Sequence, residues 1–523
     1  MSISPNNESG TSNKRRDLIK SLASLPVLGA LGVGYWQHTR YTKKTEATYD
    51  IVKELGLSSE PAFKDYSAPG TGSTDTIRLG IIGAGSRSNA LLHHLGFATE
   101  NDAKQWSDDK KNNWLAYGDL NVVLTAVCEV FDSRAENTMA KALFSVKDAQ
   151  GEQRKHKPKR YTYYQDLLED DQVDAVIIAT PDHWHAPMTI AAIQAGKHVY
   201  CEKGPSHSEA ETFELERVVR ASDKVYQLGH QIRHNPIYPY AADLVKQGVL
   251  GEVNLVEVTT NRNSAHGAWV RHLKNGKPKA GDLNSIDWKQ WLGDSPEVPF
   301  SIDRYYNWTK YWDYSTGLLG QLFSHEFDAA NGVLHCGIPE SVVCSGGIYY
   351  YQDGREIPDL MQVVLEYPHR KMTMIYSATL ANSKNRGRVI MGRDASMEIG
   401  KGLSITPDGS SEKYKQLLAD KKIAKNEPML SVGLGKKSST DANSGATASY
   451  YEERGLTSVN VGGVSRDVTH LHLREWINAI RYGSPVSCGI DRAFEEAVTI
   501  QMAKKAYLEK RQVRWDAKTK TIV

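Results

Sequence analysis

The stretch that decides the fold is TIRLGIIGAGSRS, residues 76–88. Its first seven residues form a β-branched apolar run that predicts a buried strand, and a helical pattern begins directly after the stretch. Between them, Gly83 permits a tight turn, and Gly85 lets a pyrophosphate approach the backbone at the helix N-terminus. A strand, a glycine turn and a helix in this order predict a dinucleotide-binding unit. Cofactor contacts in the loop are expected from Gly83, Gly85, Ser86 and Arg87.

A second predicted strand, Val122–Cys128, ends directly before Glu129. An acidic side chain at this point can accept hydrogen bonds from the adenosine ribose, which favours NAD and leaves NADP as the alternative. The separation from Gly83 exceeds the usual spacing of about 20 residues. A polar surface insertion between Glu100 and Asp119 accounts for the excess. The competing interpretation of Glu129 is a solvated strand end.

Two further predicted strands, Ala175–Ala179 and Lys197–Cys201, alternate with helices. This alternation predicts an α/β fold with a doubly wound parallel sheet whose site lies at the carboxyl ends of its strands. Two motifs stand there, TPDHWH (180–185) and CEKGP (201–205). The two histidines of the first motif share no face with an acid, so no metal site is expected. Lys203 either extends to solvent or points at a substrate hydroxyl.

The composition excludes several classes of protein. The chain has 523 residues, of which 40% are hydrophobic and 24% charged, and its formal net charge is +2. These values are typical of soluble globular domains and exclude a disordered chain, a collagen-like repeat and a polytopic membrane protein. The near-neutral charge gives no reason to expect nucleic acid as a partner. The five cysteines show no CxxC spacing and favour neither a disulfide framework nor a zinc site.

The N-terminus predicts an export signal. A basic run that contains Arg15 and Arg16 precedes the apolar stretch from Ser21 to Trp36. The arginine pair resembles the twin-arginine signal, which moves folded proteins across the membrane. We therefore expect an export signal over residues 1–44, the twin-arginine machinery as a partner and a periplasmic location. No clean cleavage site follows, so an uncleaved segment would tether the protein to the inner membrane. A linker is expected over residues 45–75.

From Arg78 onward the chain resembles the glucose-fructose oxidoreductase / inositol dehydrogenase (Gfo/Idh/MocA) family, in an exported bacterial form. The motifs that carry the resemblance are GIIGAGSR, TPDHWHAPM, AAIQAGKHVYCEK and GHQIRHNP. The family implies an N-terminal Rossmann domain over 76–232 and a C-terminal α+β domain over 233–515, built on an open, mainly antiparallel sheet. Such an open sheet face makes a homo-oligomer the expected assembly.

The C-terminal sequence agrees with this expectation. Amphipathic patterns predict two closing helices within 470–511, and residues 405–466 form a long insertion with little capacity to form a core. The predicted strands, rich in Val, Ile, Tyr and Thr, are Val253–Thr259, Ser341–Tyr351, Met361–Tyr367 and Lys371–Leu380.

The resemblance implies an NAD(P)-dependent enzyme that moves a hydride between a sugar or polyol carbon and the nicotinamide. His325 matches the family's general base, and Lys203 matches the lysine that hydrogen-bonds the reacting hydroxyl. Further cofactor contacts are expected from Thr180, Pro181, His183, His185, Glu202, Lys203 and Gln231. Candidate substrate contacts are Arg233, Arg262, Tyr314 and Gln321.

Two positions depart from the family pattern. Gln321 stands where the family has an aspartate, and an amide can orient the catalytic histidine but cannot neutralise its charge. Asp313 or Asp328 could compensate. Gly204 stands where the family usually has proline, which is expected to loosen the turn after Lys203. The dense aromatic run from Tyr305 to Tyr314 either stacks on sugar rings or serves packing.

The predicted export and the expected use of NAD together define two alternative functions. No maintained NAD pool exists outside the cytoplasm, so the cofactor is expected to be held tightly and regenerated within the site. One alternative is a redox-assisted glycoside hydrolase, similar to the family 109 glycosidases. The other is a sugar-binding protein with impaired catalysis. This alternative is suggested by Gln321, which replaces the family's aspartate.

Overall fold

The computed structural model describes residues 51–57, 61, 75–115, 118–146, 152–263, 269–270, 283–400, 402–433, 451–452, 455–461 and 464–523. The predicted export signal lies outside these residues, as does most of the predicted linker. Within the described ranges, no helix is both long enough and apolar enough to cross a membrane.

Six parallel strands form the N-terminal sheet, in the order β3-β2-β1-β4-β5-β6. This order is that of a doubly wound Rossmann sheet, in which the direction of winding reverses between β1 and β4 and opens a crevice at their carboxyl ends. The predicted parallel sheet is therefore confirmed. The strands are β1 (Ile77–Ile82), β2 (Val122–Cys128), β3 (Lys159–Tyr161), β4 (Ala175–Ile178), β5 (His198–Cys201) and β6 (Tyr226–Leu228).

Helices cover both faces of this sheet, which is why its central strands are apolar on both sides. The polar insertion after the first helix forms two short helices of its own, α2 and α3. The helices of this part are α1 (Ser86–His94), α2 (Glu100–Gln105), α3 (Asp108–Leu115), α4 (Asp132–Lys141), α5 (Tyr164–Glu169), α6 (His185–Gln194) and α7 (Glu209–Arg220).

The C-terminal part is built on a ten-stranded sheet in the order β14-β13-β12-β11-β7-β10-β9-β8-β17-β18. β7 and β10 pair in parallel, and the other neighbours pair antiparallel. The mainly antiparallel sheet that the family resemblance implied is therefore confirmed. Buried and partly exposed residues alternate along β10, so one face lies on the core. The strands are β7 (Val253–Thr259), β8 (Ser341–Gly347), β9 (Leu360–Tyr367), β10 (Met372–Thr379), β11 (Arg388–Gly392), β12 (Ala395–Ile399), β13 (Gly402–Pro407), β14 (Leu430–Gly433), β17 (Val513–Asp516) and β18 (Thr521–Ile522); β15 (Ser458–Val461) and β16 (Val464–Asp467) form a separate hairpin.

The first closing helix covers the N-terminal sheet rather than the C-terminal one. Its apolar residues Leu473, Trp476 and Ile477 lie in one core cluster with β1 and with Tyr200 of β5. The predicted domain boundary at residue 232 therefore assigns this helix to the C-terminal domain, although the helix covers the N-terminal sheet. The helices of the C-terminal part are α8 (Ile237–Lys246), α9 (Trp288–Leu292), α10 (Ile302–Tyr306), α11 (Ser324–Leu334), α12 (Lys415–Ala419), α13 (Val468–Tyr482) and α14 (Ile490–Glu509).

The expectation that residues 405–466 contribute little core is wrong for the parts that the structure describes. Tyr414, Leu430, Tyr451 and Leu456 are buried in the main C-terminal cluster. The average composition concealed these large side chains, because they are few among many Gly, Ser, Lys and Asn residues. Within the predicted linker, Ile51 also packs into this cluster.

Candidate functional site

The phosphate loop between β1 and α1 has the geometry that its glycines predict. Gly83 has a φ of +85°, and a Cβ there would lie 2.8 Å from Thr180 Cγ2. A Cβ on Gly85 would meet only Arg134 Nη1, at 3.9 Å, so the backbone is open on that side. No side chain caps α1, and its first turn carries no acidic residue. The N–H groups at this helix end are thus oriented for an anion.

A cavity of about 920 Å³, counted with its open solvent, lies beside this loop. The carboxylate of Glu129 lines it and is only 7% exposed. Its two oxygens accept hydrogen bonds from the backbone N–H groups of Ala84, at 2.6 Å, and Phe131, at 3.0 Å. The interpretation of Glu129 as a solvated strand end is therefore wrong. The predicted cofactor residues that line the cavity are Gly83, Gly85, Ser86, Arg87, Glu129, Thr180 and Pro181.

An aromatic wall lines part of the cavity and consists of Trp291, Tyr305, Tyr306 and Trp308. The guanidinium of Arg134 lies 5.0 Å from the ring centre of Tyr305 and 5.5 Å from that of Tyr306. Part of the aromatic run thus borders the cavity beside the phosphate loop.

Tyr314, the predicted substrate contact in this run, has no exposed surface. Its ring packs 4.7 Å from that of Trp291, and its hydroxyl accepts a hydrogen bond from Arg304 at 3.2 Å. Tyr314 is therefore held inside the aromatic cluster in this structure, and a substrate contact at this residue stays a prediction.

His183 and His185 hold the turns around the site and are not among the cavity-lining residues. Both ring nitrogens of His185 contact backbone oxygens, Nδ1 that of Gly204 at 2.8 Å and Nε2 that of Thr180 at 2.9 Å. Gly204 has a φ of +75°, which proline cannot adopt. This contact ties the turn after β5 to the turn after β4, so the expected loosening at Gly204 is compensated. Burial lowers the pKa of His183 to about 3, which keeps that ring neutral.

Glu202 and Gln231 also support the phosphate loop by hydrogen bonds and are not among the residues that line the cavity. Glu202 accepts hydrogen bonds from Arg87 Nε at 2.7 Å and from Gln231 Nε2 at 3.1 Å. These contacts join α1 to the residues that follow β5 and β6. They therefore fix the position of the phosphate loop relative to Lys203.

Lys203 and Gln321 lie together in a buried chain of hydrogen bonds. Lys203 Nζ donates to Gln321 Oε1 at 2.6 Å and to the carbonyl of Gly320 at 3.2 Å. Gln321 Nε2 in turn lies 3.0 Å from both carboxylate oxygens of Asp182, which also accepts from Ser315 Oγ. Burial lowers the pKa of Lys203, against the opposing effect of Asp182. The amide therefore joins the lysine to a carboxylate from the TPDHWH motif.

The carboxylates that the sequence offered as substitutes for the family aspartate are engaged elsewhere. Asp313 pairs with Arg304 at 3.3 Å. Asp328 accepts three hydrogen bonds from Arg233, at 2.8 and 2.9 Å. Burial lowers the pKa of Arg233, but the attraction and hydrogen bonds of Asp328, together with Cys488 and Glu475, raise it above its ordinary value. The guanidinium of Arg233 is engaged in this pair, and a substrate contact at Arg233 stays a prediction. Asp182 supplies the buried negative charge near Lys203 instead.

His325 lies in the first turn of α11, directly after a π-helical turn, Leu319–Phe323. Its Nδ1 lies 3.1 Å from Nδ1 of His230, whose Nε2 lies 2.6 Å from Oε2 of Glu496. All three side chains are buried. Burial lowers the pKa of His325 well below its ordinary value, and the charges of His230 and Lys203 add to this effect. The ring is therefore neutral at physiological pH.

Arg262 is not part of these contacts. It follows β7, and its guanidinium lies 5.9 Å from the ring centre of Trp269. Asp182, His230 and Glu496 are the site residues that sequence reasoning missed. The first two stood in motifs already singled out, TPDHWH and GHQIRHNP. Glu496 lies off the apolar stripe of its helix, so the helical pattern carried no signal for it.

Two family models match the chain over nearly its whole described length. Residues 77–230 match the NAD-binding Rossmann fold of an oxidoreductase family, and residues 242–514 match the C-terminal alpha/beta domain of the same family. The chain belongs to the Gfo/Idh/MocA oxidoreductase family. The predicted family membership is thereby confirmed.

Curated members of the family match over shorter segments. Levoglucosan dehydrogenase of Pseudarthrobacter phenanthrenivorans is 26% identical over 199 residues, 35% of this chain and 41% of that protein. A glycosyl hydrolase family 109 protein of Shewanella pealeana is 25% identical over 232 residues, 42% of this chain and 44% of that protein. The chain thus spans less than half the length of these relatives. The WlbA dehydrogenase of Bordetella pertussis, solved with NADH and UDP-GlcNAcA, shares the fold with a TM-score of 0.54 at 13% identity, covering 85% of this chain and 99% of that one.

Proposed function

We propose that the protein is an NAD-dependent oxidoreductase that moves a hydride between a carbon of a sugar, polyol or glycoside and the nicotinamide. The observation that carries this proposal is a buried lysine in contact with the turn that precedes a buried neutral histidine, in a chain whose first strand leads into a Rossmann phosphate loop. Lys203 contacts the π-helical turn that leads directly into the helix of His325. The levoglucosan and inositol dehydrogenases among the relatives support a carbohydrate substrate.

The residues present fit a dinucleotide. The open backbone at Gly85 and the uncapped end of α1 suit the pyrophosphate, and Glu129 suits the adenosine ribose. The aromatic wall offers flat surfaces to the adenine. A carboxylate at the ribose favours NAD over NADP, because a 2′-phosphate would meet like charge. We further propose that this cofactor is tightly held and stays bound through purification.

The bound nicotinamide would supply the hydride acceptor, and the protein would handle the proton. A neutral His325 can accept the hydroxyl proton of the substrate at Nε2, since Nδ1 faces His230. Because the lowered pKa keeps His325 neutral below pH 6.5, the base remains available in mildly acidic solution. Lys203 Nζ donates to Gln321 Oε1 and to the carbonyls of Gly320 and Gln321, so it can hold the same substrate oxygen by exchanging the longest of these contacts, that to the Gln321 carbonyl at 3.4 Å.

The test uses the purified full chain. Denaturation should release NAD, identified by mass spectrometry, and a panel of sugars and polyols should change nicotinamide absorbance at 340 nm. Lys203→Met and His325→Asn should each reduce kcat by about 100-fold or more, the usual range for a lost acid–base group. His335→Asn is the matched control, because it lies exposed at the end of the same helix in a left-handed conformation that asparagine tolerates. Activity that survives both substitutions would refute the proposed roles.

One observation favours a second candidate, the redox-assisted glycoside hydrolase. The match to the glycosyl hydrolase family 109 protein extends over 232 residues, further than the match to levoglucosan dehydrogenase. This candidate predicts release of nitrophenol from a nitrophenyl glycoside without net formation of NADH. If neither reaction occurs and His325→Asn leaves sugar binding intact, the protein is a binding module instead.

We also propose that the chain is exported by the twin-arginine route and acts in the periplasm. The support is the arginine pair before the apolar N-terminal stretch. Replacing Arg15 and Arg16 with lysine should retain the protein in the cytoplasm, as judged by cell fractionation. Unchanged export of this double variant would contradict the proposal.

A further inference from the structure

A line of three buried side chains runs from the proposed base into the protein. His325 Nδ1 lies 3.1 Å from His230 Nδ1, and His230 Nε2 lies 2.6 Å from Glu496 Oε2, although at an angle that is not ideal for a hydrogen bond. Each side chain comes from a different part of the chain: α11, the turn after β6, and α14. Glu496 is 1% exposed, so a buried carboxylate lies directly behind the two histidines.

This arrangement selects one tautomer for each ring. Two imidazole nitrogens form a hydrogen bond only when one of them carries the proton. Above the raised pKa of His230, where this ring is neutral, an ionised Glu496 can only accept, so it favours a proton on Nε2 of His230 and leaves Nδ1 of His230 as an acceptor. His325 must then carry its proton on Nδ1. Its Nε2 is left with a lone pair, which is the state that a general base needs.

We propose that His230 and Glu496 form a proton relay behind His325 and take over the positive charge that catalysis generates. This inference rests on the proposed function. The substrate O–H bond breaks and its proton binds Nε2 of His325, while the Nδ1 proton of His325 moves to Nδ1 of His230. The electron pair left on the substrate oxygen forms the carbonyl as the hydride departs to the nicotinamide. His325 ends neutral, and His230 ends as an imidazolium next to Glu496.

The charged groups around the two rings favour this transfer. Burial lowers the pKa of His325. A protonated His230 lowers it further, as do the cations that His325 faces, Lys203 of the turn after β5, Arg87 of α1 and Arg388 of β11. Around His230, burial lowers the pKa, but the neighbouring carboxylates of Glu496 and Asp328 outweigh burial and raise it.

Three further groups border the relay. The guanidinium of Arg233 opposes a charge on His230, but it is itself paired with Asp328. His472 of α13 also faces His230, and burial lowers its pKa to about 3, so it adds no charge. Burial raises the pKa of Glu496, and the attraction of His230 opposes this effect. A proton on the His325–His230 pair is therefore most stable on His230.

The decisive variant is Glu496→Gln, which keeps the shape of the side chain and removes its charge. We expect kcat to fall by about 10- to 100-fold. The acid limb of the kcat profile should move down by about 1 pH unit or more, because His230 loses its main partner. Glu495→Gln, one residue earlier on the same helix and paired with Arg492 and Asn331, should leave both quantities within about 2-fold. A uniform loss of activity without a shifted limb would mean that Glu496 is merely structural and would overturn the relay.

A second readout does not depend on turnover. Ring ¹⁵N-labelled histidines in the nucleotide-free full chain, assigned with His230→Gln and His325→Gln, report the tautomer of each ring by NMR. We expect a proton on Nδ1 of His325 and on Nε2 of His230, and loss of this preference in Glu496→Gln. The opposite tautomers, or no change in the variant, would overturn the relay. If the wild type oxidises no sugar, the proposed function fails, and the NMR result alone then decides the relay.

Discussion

Replacing Gln321 with glutamate brings the family's negative charge back to this position, and the structure predicts that the change is destabilising. Gln321 Nε2 lies 3.0 Å from both carboxylate oxygens of Asp182. In the variant, a carboxylate oxygen takes the place of this donor and faces Asp182 at a similar distance. One hydrogen bond is lost, and two like charges meet in a buried place.

The loss of folding free energy is set by whichever of two responses costs less: the two carboxylates stay charged and repel each other, or one of them takes up a proton. Two unit charges 3 Å apart repel by about 5 kcal/mol at an effective dielectric constant of 20. Protonating a carboxyl group with an ordinary pKa of about 4.3 costs about 4 kcal/mol at pH 7 and about 1 kcal/mol at pH 5. The pair therefore takes up a proton. With the nearby ammonium of Lys203 as partial compensation, we expect a loss of about 2–4 kcal/mol at pH 7.

The sign of the pH dependence is fixed by the same reasoning. The folded pKa of the new carboxyl is raised above its unfolded value, so the variant is least affected below about pH 4.3 and loses stability as the pH rises. Thermal unfolding of Gln321→Glu relative to wild type should show a Tm lower by roughly 2–4 °C at pH 7, and a much smaller difference at pH 5. Adding Asp182→Asn removes the repulsion and should recover most of the loss. A Tm difference that is equal at pH 5 and pH 7, or absent at both, would refute this reasoning.

Two more predictions concern cofactor binding and stability. Glu129→Gln should weaken NADH binding by about 10-fold or more, because a backbone N–H in the turn loses its acceptor; a fluorescence titration measures this, with exposed Glu136→Gln as the control. Arg388→Met should destabilise the protein by about 3–5 kcal/mol, since it leaves Glu326 buried without its guanidinium partner, and adding Glu326→Met should recover part of the loss. If the double variant has a lower Tm than the single one, the buried pair is not the cause.

The elements that the sequence predicted with correct bounds are buried strands between clear turns. β2 and β7 begin and end at the predicted residues, because their β-branched runs stop at polar turns. β8 was predicted to extend to Tyr351, but it ends at Gly347. The carboxylate of Asp359 accepts hydrogen bonds from the backbone N–H groups of residues 349–351, so these groups are satisfied outside the sheet. A competing acceptor of this kind leaves no trace in the apolar pattern.

The candidate site likewise contains residues that the sequence predicted and supporting residues that it did not. Motifs placed Lys203 and His325, and the structure brings both to the π-helical turn and the helix that follows it. Their supporting partners could not be predicted, since the contact of Asp182 with Gln321 spans 139 residues and that of His230 with His325 spans 95. Such pairings depend on how the two halves of the chain dock, which local pattern does not encode.

The position of α13 has a consequence for the order of events during synthesis. The N-terminal sheet ends at Leu228, yet one of its faces is covered by Trp476 and its neighbours in α13. At about 5–20 residues per second, the ribosome needs roughly 10–50 s to make the intervening 250 or so residues. For that time the sheet exposes an apolar face to the surrounding solution. We therefore expect the nascent chain to expose this face until α13 has emerged, and a truncated chain that stops at residue 232 to aggregate, as judged by light scattering.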